Sequence, residues 1–369
     1  MRTRALAYCV LTNGISRILR TPLYLILFVT DKCWMKCRHC WFNEVWKQKH
    51  AYGKVLSFDE LEKISSGMNR IYFLSLTGGE AFLRDDIADI SELFVKNNKI
   101  GRLQIPTSGF DTEIVITKTR DILSRIKIPF RVDVSLDGDE ETHDYIRQVD
   151  KSFSSAVETI RELNILKRHC GNFDVGIITT VSRYNQNQLD YISGMVEKIH
   201  HDGEWMINIT RGNPRDAKSR TVDIDKYSRA SELINNRIIQ KSYHGHSGHL
   251  TAKWLTAKNN VRRQVIKEIL EGKKRGGGCS AGALIAVITH DGAVYPCELY
   301  DENFGNLREN GYDFLALWNS SRAVKIRKKI QFDECSCTQE CFLSMNLLMQ
   351  PSAWRKIVRE RIKLYKYNR

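Results

Sequence analysis

Thr30-Asp31-Lys32-Cys33-Trp34-Met35-Lys36-Cys37-Arg38-His39-Cys40 follows directly on the apolar run Pro22 to Val29. The run predicts a buried strand, and the cysteines fall just past its C-terminal end in the spacing C-x3-C-x2-C. Three thiolates can hold three irons of a cubic iron–sulfur cluster and leave the fourth iron open to a substrate or cofactor. That makes the segment a catalytic signal. The competing reading is a zinc knuckle with His39 or His50 as fourth ligand, although zinc sites favour paired C-x2-C units and four ligands.

Working outward, strand and helix signals alternate. Strands are predicted over Leu23 to Thr30, Ile71 to Thr77, Gly101 to Pro106, Phe130 to Leu136, Phe173 to Val181 and Trp205 to Thr210. Helices are predicted from Ser57 (a capping box with Glu60), and over Asp86 to Asn97, Thr112 to Ile126, Ser152 to Lys167 and Asn187 to His200. Six βα units in series imply a parallel sheet with helices outside, an α/β fold. The cysteine loop, Gly78-Gly79-Glu80, Thr107 and Ser135 all fall at C-terminal strand ends, where ligands bind in parallel α/β folds. Gly78 and Gly79 would let the backbone approach a ligand closely.

Taken in order, these stretches resemble the radical S-adenosylmethionine (SAM) enzymes. Cys33, Cys37 and Cys40 match the family's cluster-binding cysteines, with His39 where an aromatic residue is usual. Thr77-Gly78-Gly79-Glu80 resembles its "GGE" loop, and Pro106-Thr107-Ser108-Gly109 its "TNG" strand end. Ser135-Leu136-Asp137-Gly138 followed by His143-Asp144-Tyr145-Ile146-Arg147 resembles a stretch of the peptide-modifying branch. The resemblance implies a partial (β/α)6 barrel over residues 22–215. It implies a [4Fe–4S] cluster on Cys33, Cys37 and Cys40, and SAM held by Gly78, Gly79, Glu80, Thr107, Ser135 and Asp137. Arg147 would carry a carboxylate or buttress the loop. The implied activity is reductive cleavage of SAM to a 5′-deoxyadenosyl radical that abstracts hydrogen from substrate. A low-potential electron donor such as a flavodoxin or ferredoxin is the implied partner.

After Arg211-Gly212-Asn213-Pro214-Arg215, residues 216–275 read as a helical bridge, with helices over Ile224 to Gln240 and Leu250 to Glu271. Arg211 fits either a substrate pocket or a surface loop. The bridge contains His244, His246 and His249 in a glycine-rich loop, which reads as an adventitious metal site. Residues 276–345 carry a second cysteine set: Cys279, then Cys297 in the pattern C-x12-G-x4-C, then Cys335, Cys337 and Cys341. An apolar strand over Leu284 to Ile288 and a hairpin turn at Asp291-Gly292 lie between the first two. The pattern resembles the SPASM or shorter twitch domain. A full SPASM domain has seven cysteines and two clusters. Five here imply one auxiliary [4Fe–4S] cluster on Cys279, Cys297, Cys341 and one of Cys335 or Cys337, with a zinc ribbon as the competing reading. Asp291 and Glu298 flank the set, and either could act as a base.

Bulk properties agree. A chain of 369 residues can bury an α/β core and a smaller second unit. No apolar stretch nears the ~20 residues that span a membrane, and no clean signal peptide opens the chain. Eight of the ten cysteines fall in the two sets, and Cys9 and Cys170 read as small buried hydrophobes. The expectation is therefore a reducing, cytoplasmic location. The net charge of +14 is concentrated at the ends. Residues 1–21 form a basic extension, and residues 346–369 a basic amphipathic helix with Trp354, Ile357, Val358, Ile362 and Tyr365 at helical spacing. The bland expectation is a helix packed on the barrel with a solvated face. The sharper one is peripheral contact with an anionic membrane. Lack of aromatic interleaving at the basic N-terminus argues against nucleic acid. The expected substrate is a peptide, a small molecule or a lipid-linked metabolite. Peptide-modifying enzymes often carry an N-terminal recognition domain of about 80 residues, so the short segment before the first strand favours a small molecule, a lipid-linked substrate or a peptide recognised without that domain. The alternatives are a zinc-knuckle nucleic-acid-binding protein and a nucleic-acid-modifying radical SAM enzyme.

Overall fold

The apolar run becomes β1 (Tyr24–Thr30), with all seven residues buried. A strand buried on both faces reads as a continuous hydrophobic run, as this one does. Five further helix–strand repeats follow: α1 (Phe58–Ser66), β2 (Phe73–Gly78), α2 (Ile87–Asn98), β3 (Arg102–Thr107), α3 (Thr112–Arg125), β4 (Phe130–Ser135), α4 (Glu140–Arg147), α5 (Ser152–His169), β5 (Phe173–Val181), α6 (Leu189–Ile199) and β6 (Glu204–Ile209). Two bridging helices, α7 (Ile224–Ile239) and α8 (Ala252–Leu270), lead to β7 (Ile285–Ile288), β8 (Ala293–Tyr295) and β9 (Gly305–Asn306). The chain continues with α9 (Phe314–Trp318), α10 (Ser321–Phe332), α11 (Glu340–Met349) and α12 (Pro351–Tyr367). The structure, a computed structural model, describes residues 21–44, 46–47, 54–239, 252–273, 278–332 and 337–367. Cys9, His50, Cys335, the 244–249 histidines and the basic segment 1–20 lie outside the described residues.

One sheet runs β6-β5-β4-β3-β2-β1-β7-β8-β9. Strands β1 to β6 are parallel and follow chain order, the α/β arrangement of a partial (β/α)6 barrel. The second cysteine region is joined to it. Strand β7 pairs in parallel with the free edge of β1, Tyr24 opposite Ile285, and then turns back into β8 at Asp291-Gly292. The sequence predicts both pieces but not this docking, since register between distant strands leaves no local mark. Helix α4 was not foreseen either. It starts on Asp139, whose carboxylate accepts the Thr142 N–H at 2.9 Å.

The capping box at α1 is formed in both directions: Ser57 N–H donates to Glu60 at 2.8 Å and Glu60 N–H to Ser57 Oγ at 3.2 Å. Glu60 does a second job. It accepts two bonds from Arg308, at 2.6 and 2.8 Å, and one from the Tyr312 hydroxyl at 2.9 Å, fastening the C-terminal region to α1. Inside the sheet's concave side the wall is polar. Arg131 of β4 donates to Asp133 and to Glu204 of β6, each at 2.6 Å, and Gln104 of β3 donates to Asp133 at 2.5 Å. Buried charges persist only when paired in this way. Helix α12 packs not on the barrel but on α8 and α11, through Ala353, Ile357 and Leu364 against Ala257, Val261 and Leu347.

Candidate active site

Cysteines 33, 37 and 40 sit on the loop that leaves β1. The neighbouring β2 loop holds it by main-chain bonds: Gly79 N–H donates to the Thr30 carbonyl at 2.9 Å and Glu80 N–H to that of Lys32 at 2.7 Å. This explains the paired glycines. Gly78 has φ +133°, and a Cβ there would overlap the Thr30 carbonyl oxygen, while one on Gly79 would overlap that of Lys32. The close approach they permit is to the cysteine loop itself. Arg84, from the same motif, donates to the Val29 and Leu56 carbonyls at 2.8 and 2.7 Å, pinning the end of β1.

The three cysteines open onto a cavity of about 230 Å³ at the C-terminal ends of the strands. Across from them stand Glu80, Thr107, Ser108 and Ser135. Buried Glu80 accepts the Ser108 N–H at 2.9 Å and the Ser108 hydroxyl at 2.8 Å, so Ser108 orients this carboxylate. Burial pushes the Glu80 carboxyl up, and the Ser108 and Thr107 bonds oppose that. Arg147 reaches the same cavity, where its guanidinium donates to the Cys37 sulfur at 3.7 Å and pairs with Asp137 at 2.5 Å. Asp137, expected at the cofactor, does not line the cavity. Its carboxylate is fully buried, held by Arg147 and by the Thr180 N–H at 2.8 Å. Gly78 likewise lies behind the wall. Thr180, Asn208 and Thr210 also line the cavity and were not singled out from the sequence. Their signal was available, since all three fall at the C-terminal ends of β5 and β6.

The donor set fits an iron–sulfur cluster with a chelating cofactor. Burial pushes the Cys40 thiol up to about 12, and the neighbouring Cys37 and Cys33 sulfurs add to it; burial raises Cys37 too. Thiols gathered in this way give up their protons only to a cation, and metal binding is that exchange. His39 stays neutral, lowered to about 4 by burial, and its buried Nδ1 has no partner among the described residues. Among the described residues, no three His, Cys, Asp or Glu side chains crowd close enough to share one ion. A cube of irons takes one thiolate per iron.

The second set assembles from distant segments. Cys279 precedes β7, Cys297 follows β8, Cys337 precedes α11 and Cys341 lies in its first turn. Burial raises Cys297 well above its ordinary value, and the charges of Cys337 and Cys279 raise it further. Sulfur acceptors are supplied with donors: Leu299 N–H to Cys297 at 3.4 Å, Asn346 to Cys279 at 3.8 Å and the Tyr24 hydroxyl to Cys341 at 3.7 Å. Between the sets stands Arg211. It lines the cavity and donates to Glu340, the residue before Cys341, at 2.6 Å. Of its two sequence readings, pocket and surface, the pocket holds. Glu298, beside Cys297, is pushed by burial to about 7 despite Arg211, and its buried Oε2 has no hydrogen-bond partner among the described residues. Asp291 is tied up in the hairpin turn, accepting the Thr289 hydroxyl at 2.5 Å.

The model of the Radical SAM superfamily matches residues 27–180, and that of an iron–sulfur cluster-binding domain, SPASM, matches residues 279–342. The chain belongs to the radical SAM superfamily. It is a radical SAM enzyme with a SPASM domain, and its cofactors are SAM, a [4Fe–4S] cluster and auxiliary iron–sulfur chemistry in that domain. The zinc-knuckle reading is set aside. The antilisterial bacteriocin subtilosin biosynthesis protein AlbA of Bacillus subtilis is 24% identical over 358 residues, 92% of this chain and 70% of that protein. Pre-heme d1 synthase of Dinoroseobacter shibae is 25% identical over 318 residues, 81% of this chain and 74% of that protein. The structure of anSMEcpe with bound AdoMet and Kp18Cys peptide superimposes with a TM-score of 0.58 at 16% identity, covering 94% of this chain and 99% of that one. That likeness is one of fold.

Proposed function

We propose that this enzyme modifies a peptide, using the Cys33–Cys37–Cys40 cluster for radical generation and a single auxiliary cluster beside the substrate. Reductive cleavage of bound SAM supplies the hydrogen-abstracting radical. Glu80, oriented by Ser108, would hold the amino group of SAM, with Thr107 and Ser135 as further contacts. Arg147, charged and fastened by Asp137, would orient Cys37. The peptide reading is supported by the likeness to AlbA over most of the chain.

The observation that carries the arrangement is Arg211, which touches the SAM cavity on one side and Glu340 beside Cys341 on the other. A substrate in that cavity would meet the first cysteine set directly and would approach the second by way of Arg211 and Glu340. Cys337, close enough to raise the Cys297 thiol, supports a ligand set of Cys279, Cys297, Cys337 and Cys341. Glu298, next to Cys297, has a buried carboxylate oxygen with no hydrogen-bond partner among the described residues and would accept a proton from a substrate that reaches the second set. Exposed Lys32 and Lys36 flank exposed Cys33 and give an acidic electron carrier such as flavodoxin or ferredoxin a complementary surface.

The test is anaerobic reconstitution, with iron and sulfide counted and 5′-deoxyadenosine measured after dithionite and SAM are added. About eight irons per chain supports one auxiliary cluster, and about four sinks it. Short peptides encoded beside this gene are then added singly. Faster 5′-deoxyadenosine release together with a change in peptide mass supports the reading. Turnover of a small molecule with none on any peptide would replace it.

A further inference from the structure

We propose that the outer face of α12, together with the start of α8, docks on the surface of an anionic lipid bilayer. Helix α12 turns by about 100° per residue. Its inner seam, Ala353, Ile357 and Leu364, is buried against α8 and α11. Trp354, Val358 and Ile362 carry the apolar arc well beyond that seam, and they remain 42%, 39% and 52% exposed. Trp254 of α8, 40% exposed, is brought beside Trp354 with ring centroids 6.3 Å apart. The helix is thus apolar over a wider arc than its neighbours cover. The Trp354 indole N–H is already satisfied by the Leu348 carbonyl at 3.0 Å, so its ring can leave water without leaving a donor unpaired.

Charge selects the occupant. Next to the apolar stripe, and on the same helix, stand Arg355 and Arg359, both exposed and without an ion pair among the described residues. Lys356 and Lys363 stand further round, paired with Glu268 and Glu360. Arg361 covers the Trp254 ring at 6.0 Å. A wide apolar face with tryptophans at its centre and a cationic flank is the pattern of a helix lying in a bilayer interface. A second copy of this chain is a poor occupant, because it would bring together two like faces on molecules of charge +14. No helix among the described residues is long and apolar enough to cross a membrane, so the contact would be peripheral.

The experiment is co-sedimentation of the reconstituted full-length enzyme with phosphatidylglycerol/phosphatidylcholine vesicles and with pure phosphatidylcholine vesicles. The expected result is binding to the first, weak binding to the second, and release at high salt. Arg355→Glu with Arg359→Glu should lower partitioning by ~10-fold or more, and Trp354→Ser with Ile362→Ser by a similar factor, at unchanged SAM cleavage. If the serine pair also lowers the melting temperature, the exposed arginines carry the test alone. Equal binding to both vesicle types, no binding, or variants that bind like wild type would overturn the proposal. So would a dimer in solution that Ile362→Ser dissociates.

Discussion

The two cysteine sets are built in opposite ways. Cys33, Cys37 and Cys40 share one loop, placed by the end of a single buried strand and by bonds from the next βα loop. Cys279, Cys297, Cys337 and Cys341 come from three segments, brought towards one another because β7 pairs with β1, β8 folds back on β7 and Asn346 of α11 bonds to Cys279 and Ser280. The first is a local site on a scaffold; the second is a product of the tertiary fold. Their positions are nonetheless coupled, since Tyr24 begins β1 and reaches Cys341, while Arg211 ends β6 and reaches Glu340.

The comparison breaks most visibly if the sets are removed one at a time. Cys37→Ala should lower SAM cleavage by at least ~10³-fold, since the cluster acts as a unit. Cys297→Ala should remove auxiliary iron and product but leave dithionite-driven 5′-deoxyadenosine release within a few-fold of wild type, as read by liquid chromatography. Loss of cleavage in the second variant as well would mean that the sets are not separable. Next in size is Gly79→Ala. Its Cβ would overlap the Lys32 carbonyl, so the cysteine loop must shift; a cost of ~1–3 kcal/mol in urea unfolding, with impaired iron loading, is expected. An alanine that loads iron normally would show that the loop is less tightly placed than its hydrogen bonds imply.

The seam between the regions is probed by Arg308→Met, which leaves Glu60 without its main partner. The Arg308 bonds hold the Glu60 carboxyl down at about 2. A group with a depressed folded value contributes stability above its unfolded pKa and loses it as pH falls. The variant should therefore be less stable than wild type by about 1–2 kcal/mol at pH 7, with the gap closing below pH ~4.5. The smallest effect belongs to a part of the barrel that serves neither set. His200 is buried, bonded to Asn164 at 2.9 Å and to the Val175 carbonyl at 3.1 Å, and burial lowers it to about 3. Its folded form stays neutral while the unfolded chain takes up a proton below pH ~6.5. Stability should then fall by up to about 1 kcal/mol between pH 6.5 and 5.5. His200→Gln should flatten that slope in thermal melts, and an unchanged slope would reassign it.

Much of the barrel was legible because its signals are local. Six strands and the Ser57 cap appear within a residue or two of where periodicity and capping put them, each being set by neighbours in sequence. The cavity was legible at Glu80, Thr107 and Ser135, which end strands after recognisable turns. At Thr180, Asn208 and Thr210 the strand map was the signal, since it puts them at the ends of β5 and β6. Asp137 was misjudged for a different reason. A carboxylate beside a glycine turn gives no sign of which way it faces, and here it turns inward to Arg147. Arg211 was undecided because an arginine after a strand serves a pocket or a surface equally well until its partner is known.

By itself the sequence determined the parallel α/β architecture, the spacing of the first cysteine set and the presence of a second, since strand periodicity and ligand spacing are properties of short segments. Only the tertiary structure decided that the second set hangs on the far edge of β1, that Arg211 and Glu340 bridge the two, and that two tryptophans meet in solvent on α8 and α12. Those facts depend on which distant surfaces bury each other, and that is settled by the packing of the whole chain.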